Sequence, residues 1–308
     1  MSTSFVQIDW QELSGISQEG AKLAYRDTFY NFLGRLPRTA HIVLLCNCTV
    51  DGLAAGALLY KILPKLGHIV SVRLIGKKEN VWSSHTRELL AESEEEALII
   101  VDLGTRQTSL QPGAATLVID DHRPTGIAPG AYVISGYGHA PKPPSALLTH
   151  WCCQTVADMD ALLWLTALSL LDELGEQAHF EEMGLAKRRF GMGPMRELLK
   201  LVRATHNCIA AFDLLLKAKS PEDAMSGKYP ELDIVRGRVS GAQERIPRVS
   251  HSQGRALPVD TGSQSRRHAR NLPHATSHRH TSSCRSKNQA GSPRRAKVRV
   301  RKSGVDRK

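Results

Sequence analysis

Five short runs of apolar, largely β-branched residues constrain this chain more than anything else in it: 41–46 (HIVLLC), 69–75 (IVSVRLI), 97–102 (ALIIVD), 115–119 (ATLVI) and 131–135 (AYVIS). Each is apolar on both alternating faces, so each reads as a strand that must be covered on two sides. Stretches with helical spacing at 53–66 and 84–92 separate the first three runs, which is the βαβ pattern of a parallel sheet. A leading helix is predicted over 20–36 from the spacing of Leu23, Tyr25, Phe29, Phe32 and Leu33, with Gly34 and Pro37 to stop it. Three further helices are predicted at 144–157, 160–175 and 194–218, the last two divided by a polar loop, AKRRFGMGP. The fold class expected is α/β: a doubly wound, mainly parallel sheet of about five strands with a helical flank, over residues 20–225.

Charge divides the chain where the periodicity ends. The formal net charge is +11, yet residues 241–308 hold 17 Lys and Arg against 3 Asp and Glu, a net of +14, which leaves 24 against 27, or −3, for residues 1–240. The folded part is therefore mildly acidic, and whole-chain charge is no guide to its partner. Residues 241–308 contain no Phe, Trp or Tyr. Too little apolar surface is available there to offset ordering entropy, so residues 236–308 are expected to be a disordered basic tail. Three readings of it stand open: an arm that gains affinity for nucleic acid by counterion release, a solvated extension, or a stretch read out of frame from about 236–246.

The six cysteines, Cys46, Cys48, Cys152, Cys153, Cys208 and Cys284, match neither a zinc-knuckle spacing nor a secreted disulfide framework, and are expected to be reduced. No segment reaches the roughly 18 apolar residues of a membrane helix, and no leader-like stretch opens the chain, so a cytoplasmic protein without a membrane partner is expected.

In open α/β sheets ligands gather beyond the carboxyl ends of the strands. Three of those ends carry acid: Asp51 after the first strand, Asp102 in VDLG after the third, and Asp120-Asp121-His122 in VIDDHRP after the fourth. Asp172, in LSLLDELG, adds a carboxylate within an apolar helix. Each has an ordinary structural reading: Asp51-Gly52 as a turn, Asp102 and Asp120 as caps, Asp172 as a solvent-facing helix end. Their coincidence favours a divalent cation, the usual way to offset several carboxylates at one edge. Lys187, Arg188 and Arg189 read as an exposed basic helix end, and His85, His139 and His150 as ordinary histidines.

Strand, T-V-D-G, helix, then V-D-L-G, V-I-D-D-H-R-P and a late L-L-D resemble, in that order, the DHH phosphoesterase superfamily, which includes RecJ-type single-strand exonucleases, oligoribonucleases and cyclic-dinucleotide hydrolases. The resemblance covers roughly residues 20–220 and implies phosphodiester hydrolysis assisted by Mn²⁺ (or Mg²⁺), with a histidine beside the metal. It implies metal ligation by Asp51, Asp102, Asp121 and Asp172, and catalytic roles for His122 and Asp120. The first motif departs from the family's pattern. Where the family has Asp-x-Asp-Gly preceded by a histidine or acid, this chain has Thr49 and Asp51, preceded by Asn47 and Leu45. The central Asp-His-His becomes Asp120-Asp121-His122, a carboxylate for an imidazole. One oxygen-rich site is thus expected and the second is depleted, and the family's glycine-rich C-terminal motif is missing. The expected function is metal-dependent hydrolysis of single-stranded nucleic acid or short nucleotide diesters, weakened by these changes; the alternative is a non-hydrolytic relative that binds nucleic acid or protein, or a truncated product without its substrate domain.

Overall fold

The structure is a computed structural model, and it describes residues 17–229 apart from 77–78, 92–95 and 206. The tail expected from residue 236 lies outside the described residues. The five predicted strands form: β1 (His41–Asn47), β2 (Ile69–Ile75), β3 (Ala97–Val101), β4 (Ala115–Asp120) and β5 (Tyr132–Ser135). They make one sheet in the order β2-β1-β3-β4-β5, with every pairing parallel. Register follows from the two-residue alternation. Ile42, Leu44 and Cys46 of β1 lie in the larger core with Ile99 and Val101 of β3, while Val43 and Leu45 lie in the smaller core with Leu98 and Ile100. A slip of one residue would exchange these sets between the faces.

The larger core lies under α1 (Gln18–Leu33), α2 (Val50–Ile62), α4 (Ser145–Cys153) and α5 (Leu163–Glu173). Helix α1 starts at Ser17, whose hydroxyl accepts from the Gly20 amide at 3.2 Å, and buries Ala21, Tyr25, Phe29 and Phe32. Helix α2 is apolar on nearly all sides because it is covered by the sheet on one side and by α4 and α5 on the other. Among the described residues, the second face is covered by α3 (Ser84–Ala91) and the loops after β2, β3 and β4, contributing Leu90, Val81, Leu110 and Ile127.

The helical half differs from the sequence reading in two places. The predicted polar loop is largely helix: α6 (Glu181–Phe190) runs through it to Gly191, and α7 (Met192–Ala204) follows at once. Met183 and Ala186 give α6 a narrow buried stripe, while Lys187, Arg188 and Arg189 occupy its last turn, where cations oppose the helix dipole. The single helix predicted over 194–218 is two, α7 and α8 (Cys208–Lys217). Asn207 starts α8 by accepting from the Ile209 and Ala210 amides at 3.0 and 3.3 Å. A short α9 (Pro221–Met225) is the last helix among the described residues. Cys46, Cys48, Cys152, Cys153 and Cys208 are free thiols, as expected.

Candidate metal centre

In a sheet ordered 2-1-3-4-5 the order of strands reverses between β1 and β3, the switch point beyond whose carboxyl ends open α/β sheets place their ligands. Asp51 and Asp102 follow those two strands, and Asp120 closes the neighbouring β4. Asp102, Asp120, Asp121 and His122 come together so that one ligand atom from each lies within 4.8 Å of the others. The three carboxylates are buried, whereas the His122 side chain is 56% exposed, so the cluster has a floor of acid and an open side at the imidazole.

Each acid is held by the strand ends. Asp102 sits at φ +57°, in the left-handed region that aspartate tolerates better than most residues. Its backbone amide donates to the Ile119 carbonyl at 3.1 Å and its own carbonyl accepts from the Asn47 side chain at 2.9 Å. The Thr49 hydroxyl donates to Asp102 Oδ2. Asp120 Oδ1 accepts from the Gly104 amide at 2.9 Å and Oδ2 from the His122 amide at 2.9 Å. His122 Nδ1 lies 2.9 Å from Asp120 Oδ1, 3.6 Å from Asp102 Oδ1 and 3.6 Å from Asp121 Oδ1. Asp121 Oδ2 pairs with Lys142 Nζ at 2.8 Å. Among the described residues, Asp102 Oδ1 and Asp121 Oδ1 are the cluster oxygens that face His122 without a hydrogen bond of their own.

Asp51 stands behind this cluster rather than in it. Its carboxylate, buried, accepts from the Ser145 and Ala146 amides, both at 2.8 Å, and from the Ser169 hydroxyl at 2.6 Å. It thereby caps the N-terminus of α4 and ties it to α5, a place where a helix favours negative charge. Asp172 is also outside the four-residue cluster: its Oδ1 accepts from Arg203 Nε at 2.6 Å. The next residue on α5, Glu173, senses the site instead. Burial raises its carboxyl pKa, with further upward contributions from Asp172 and Asp121 and downward ones from Lys142 and His122. Sequence reading singled out Asp172 and not its neighbour Glu173, which lies about 100° round the same helix. Lys142, between Pro141 and Pro143, carried no periodic signal at all.

Electrostatics follow from burial and crowding. Burial, then the charges of Asp51 and Asp120, pushes Asp102 up to about 8 against the pull of Thr49 and His122. Burial raises Asp51 to about 6, although Ser169 and the α4 amides favour its charged form. The bond to Asp120 raises His122 to about 9. The protein's own cations thus leave an acid excess at the floor. Carboxylate oxygens with one imidazole are a donor set that could hold a divalent cation.

Known structures share this frame. A RecJ exonuclease crystal structure with bound manganese superposes with a TM-score of 0.54 at 17% identity, covering 72% of this chain and 68% of that one. RecJ from Thermus thermophilus in complex with Mn²⁺ gives a TM-score of 0.49 at 17% identity, over 74% of this chain and 40% of that one. A DHH domain described as a member of the s1p family of ribosomal proteins gives 0.46 at 15% identity, over 72% and 61%. No family model and no curated protein sequence matches the chain. No helix among the described residues is long and apolar enough to cross a membrane. With its parallel 2-1-3-4-5 sheet and its likeness to the manganese-bound structure, the chain shares the fold of the RecJ exonuclease.

Proposed function

We propose that the chain is a divalent-metal-dependent phosphodiester hydrolase acting on single-stranded nucleic acid or short nucleotide diesters. The observation that carries this reading is the convergence of Asp102, Asp120, Asp121 and His122 at the carboxyl edge of the sheet. Asp102 and Asp121 would hold Mn²⁺ or Mg²⁺, with Asp51 acting behind them through its charge and through its hold on α4; Asp172 would contribute only after release from Arg203. A cation held there would supply Lewis-acid charge for a phosphoryl oxygen and for activating a water molecule. Asp120 orients His122 through Nδ1, which leaves Nε2 on the ring for a substrate proton. Lys142 places a positive charge beside Asp121, within the region a phosphate would approach. The test is Mn²⁺-dependent cleavage of a labelled single strand and of a chromogenic phosphodiester, lost in Asp102→Ala. Equal inertness of wild type and variant would refute the hydrolase reading.

A second reading is favoured by Asn47 and Thr49. Both donate hydrogen bonds to Asp102, to its carbonyl and its carboxylate, at positions where the resemblance puts a histidine or acid and an aspartate. On this reading the fold binds single strands or a protein partner without turnover, and chelator leaves binding unchanged.

A further inference from the structure

We propose that Lys142 provides, as a fixed ammonium group, the positive charge that a second divalent ion would bring to Asp121, so that the site takes one divalent cation and not two. This rests on the metal reading given above.

Asp121 stands where the family pattern has a neutral imidazole, so this chain adds a negative charge to an already acidic floor. Its two oxygens face different ways: Oδ1 lies 3.6 Å from His122 Nδ1, and Oδ2 lies 2.8 Å from Lys142 Nζ. The ammonium pairs with Asp121 directly, while Asp120 and Glu173 favour its charge from further away. Remove the ammonium, and Asp121 Oδ2 is left as an unneutralised carboxylate oxygen at the edge of the first site. Such an oxygen is the kind of hard donor that attracts a second divalent cation.

The backbone that carries Lys142 is fixed more firmly than a surface lysine's. Pro141 and Pro143 restrict φ on either side of it. The carbonyl of Pro143 presses on Gly136, where an added Cβ would meet it at 2.3 Å and would meet Asp121 Cβ at 3.2 Å. Two residues beyond Pro143, the Ser145 amide donates to Asp51. The segment 136–145 is thus held at Gly136, Asp121 and Asp51. The Lys142 side chain is 45% exposed but its partner only 7%, so this pair differs from the solvated ion pairs that contribute little. A side chain on a fixed backbone, reaching a buried carboxylate, is a built-in counter-ion.

The test is Mn²⁺ binding to the full-length chain by equilibrium dialysis with metal analysis, on wild type, Lys142→Met and Lys142→Arg, with Lys142→Gln as a second neutral side chain should the methionine variant not fold. One Mn²⁺ per chain is expected for wild type and Lys142→Arg, and two for the neutral variants. One Mn²⁺ in wild type with unchanged stoichiometry and affinity in folded neutral variants would overturn the role of Lys142 and leave the metal site standing. Two in wild type would overturn it as well. None in any variant would instead overturn the metal reading on which it rests.

Discussion

The Thr49 hydroxyl donates to the Asp102 carboxylate while accepting the Gly52 amide at 2.9 Å, so one side chain both starts helix α2 and steadies the most perturbed acid of the site. Gly52 is required for this closeness, since a Cβ there would meet the Asn47 carbonyl oxygen at 2.5 Å. Thr49→Val keeps the shape and removes both interactions. A loss of roughly 1–2 kcal/mol is expected in urea unfolding, typical of a lost N-cap and a hydrogen bond to a buried acid. Thr49→Ser should recover most of it; a valine variant as stable as wild type would show that the hydroxyl contributes nothing.

Asp51 and Asp172 should separate cleanly in stability. Asp51→Ala leaves the Ser145 and Ala146 amides and the Ser169 hydroxyl buried without their acceptor, which is expected to cost roughly 3–5 kcal/mol. Asp172→Ala breaks a pair whose Arg203 partner is half exposed, and should cost under about 1 kcal/mol. Comparable losses for the two would contradict the placement of Asp51 as the anchor of α4.

Stability of the metal-free protein should fall as pH rises. A group whose folded pKa is raised contributes stability below its unfolded value and loses it through the folded one. Asp51 acts from 3.8 to about 6, Asp102 from 3.8 to about 8, and His122 from 6.5 to about 9. Buried His150, lowered from 6.5 to about 4, opposes them only below 6.5. Between pH 6.5 and 8.5 Asp102 and His122 therefore set the trend among these four. With His122 discounted for its exposure, a net loss of about 1–2 kcal/mol corresponds to a Tm drop of roughly 2–8 °C in the presence of chelator. Saturating Mn²⁺, which favours the deprotonated carboxylates, should flatten or reverse the slope in the same thermal scans. Identical slopes with and without Mn²⁺ would count against a metal at these residues.

The strands were legible because residues such as Ile99 and Ile100 are apolar on opposite faces of the same run, a pattern that only a doubly covered sheet satisfies. Strand ends then located Asp102 and Asp120 by topology alone. Helix α6 was not legible: its buried stripe is Met183 and Ala186, too narrow to stand out against Lys187, Arg188 and Arg189. The partners of Asp51 were hidden for another reason. The amides of Ser145 and Ala146 lie 94 and 95 residues away and have no side-chain signature, so a carboxylate engaged by a distant helix end reads in sequence as one free to bind a cation.

The most direct measurement is the Mn²⁺ content of the dialysed wild-type chain beside that of Asp102→Asn. Asparagine tolerates the φ of +57° and keeps the side-chain shape, so the variant should fold and melt close to wild type without metal. One Mn²⁺ per wild-type chain, lost in Asp102→Asn, is the expected result. A wild-type chain that retains no Mn²⁺, or an asparagine variant that retains as much as wild type, would contradict the account.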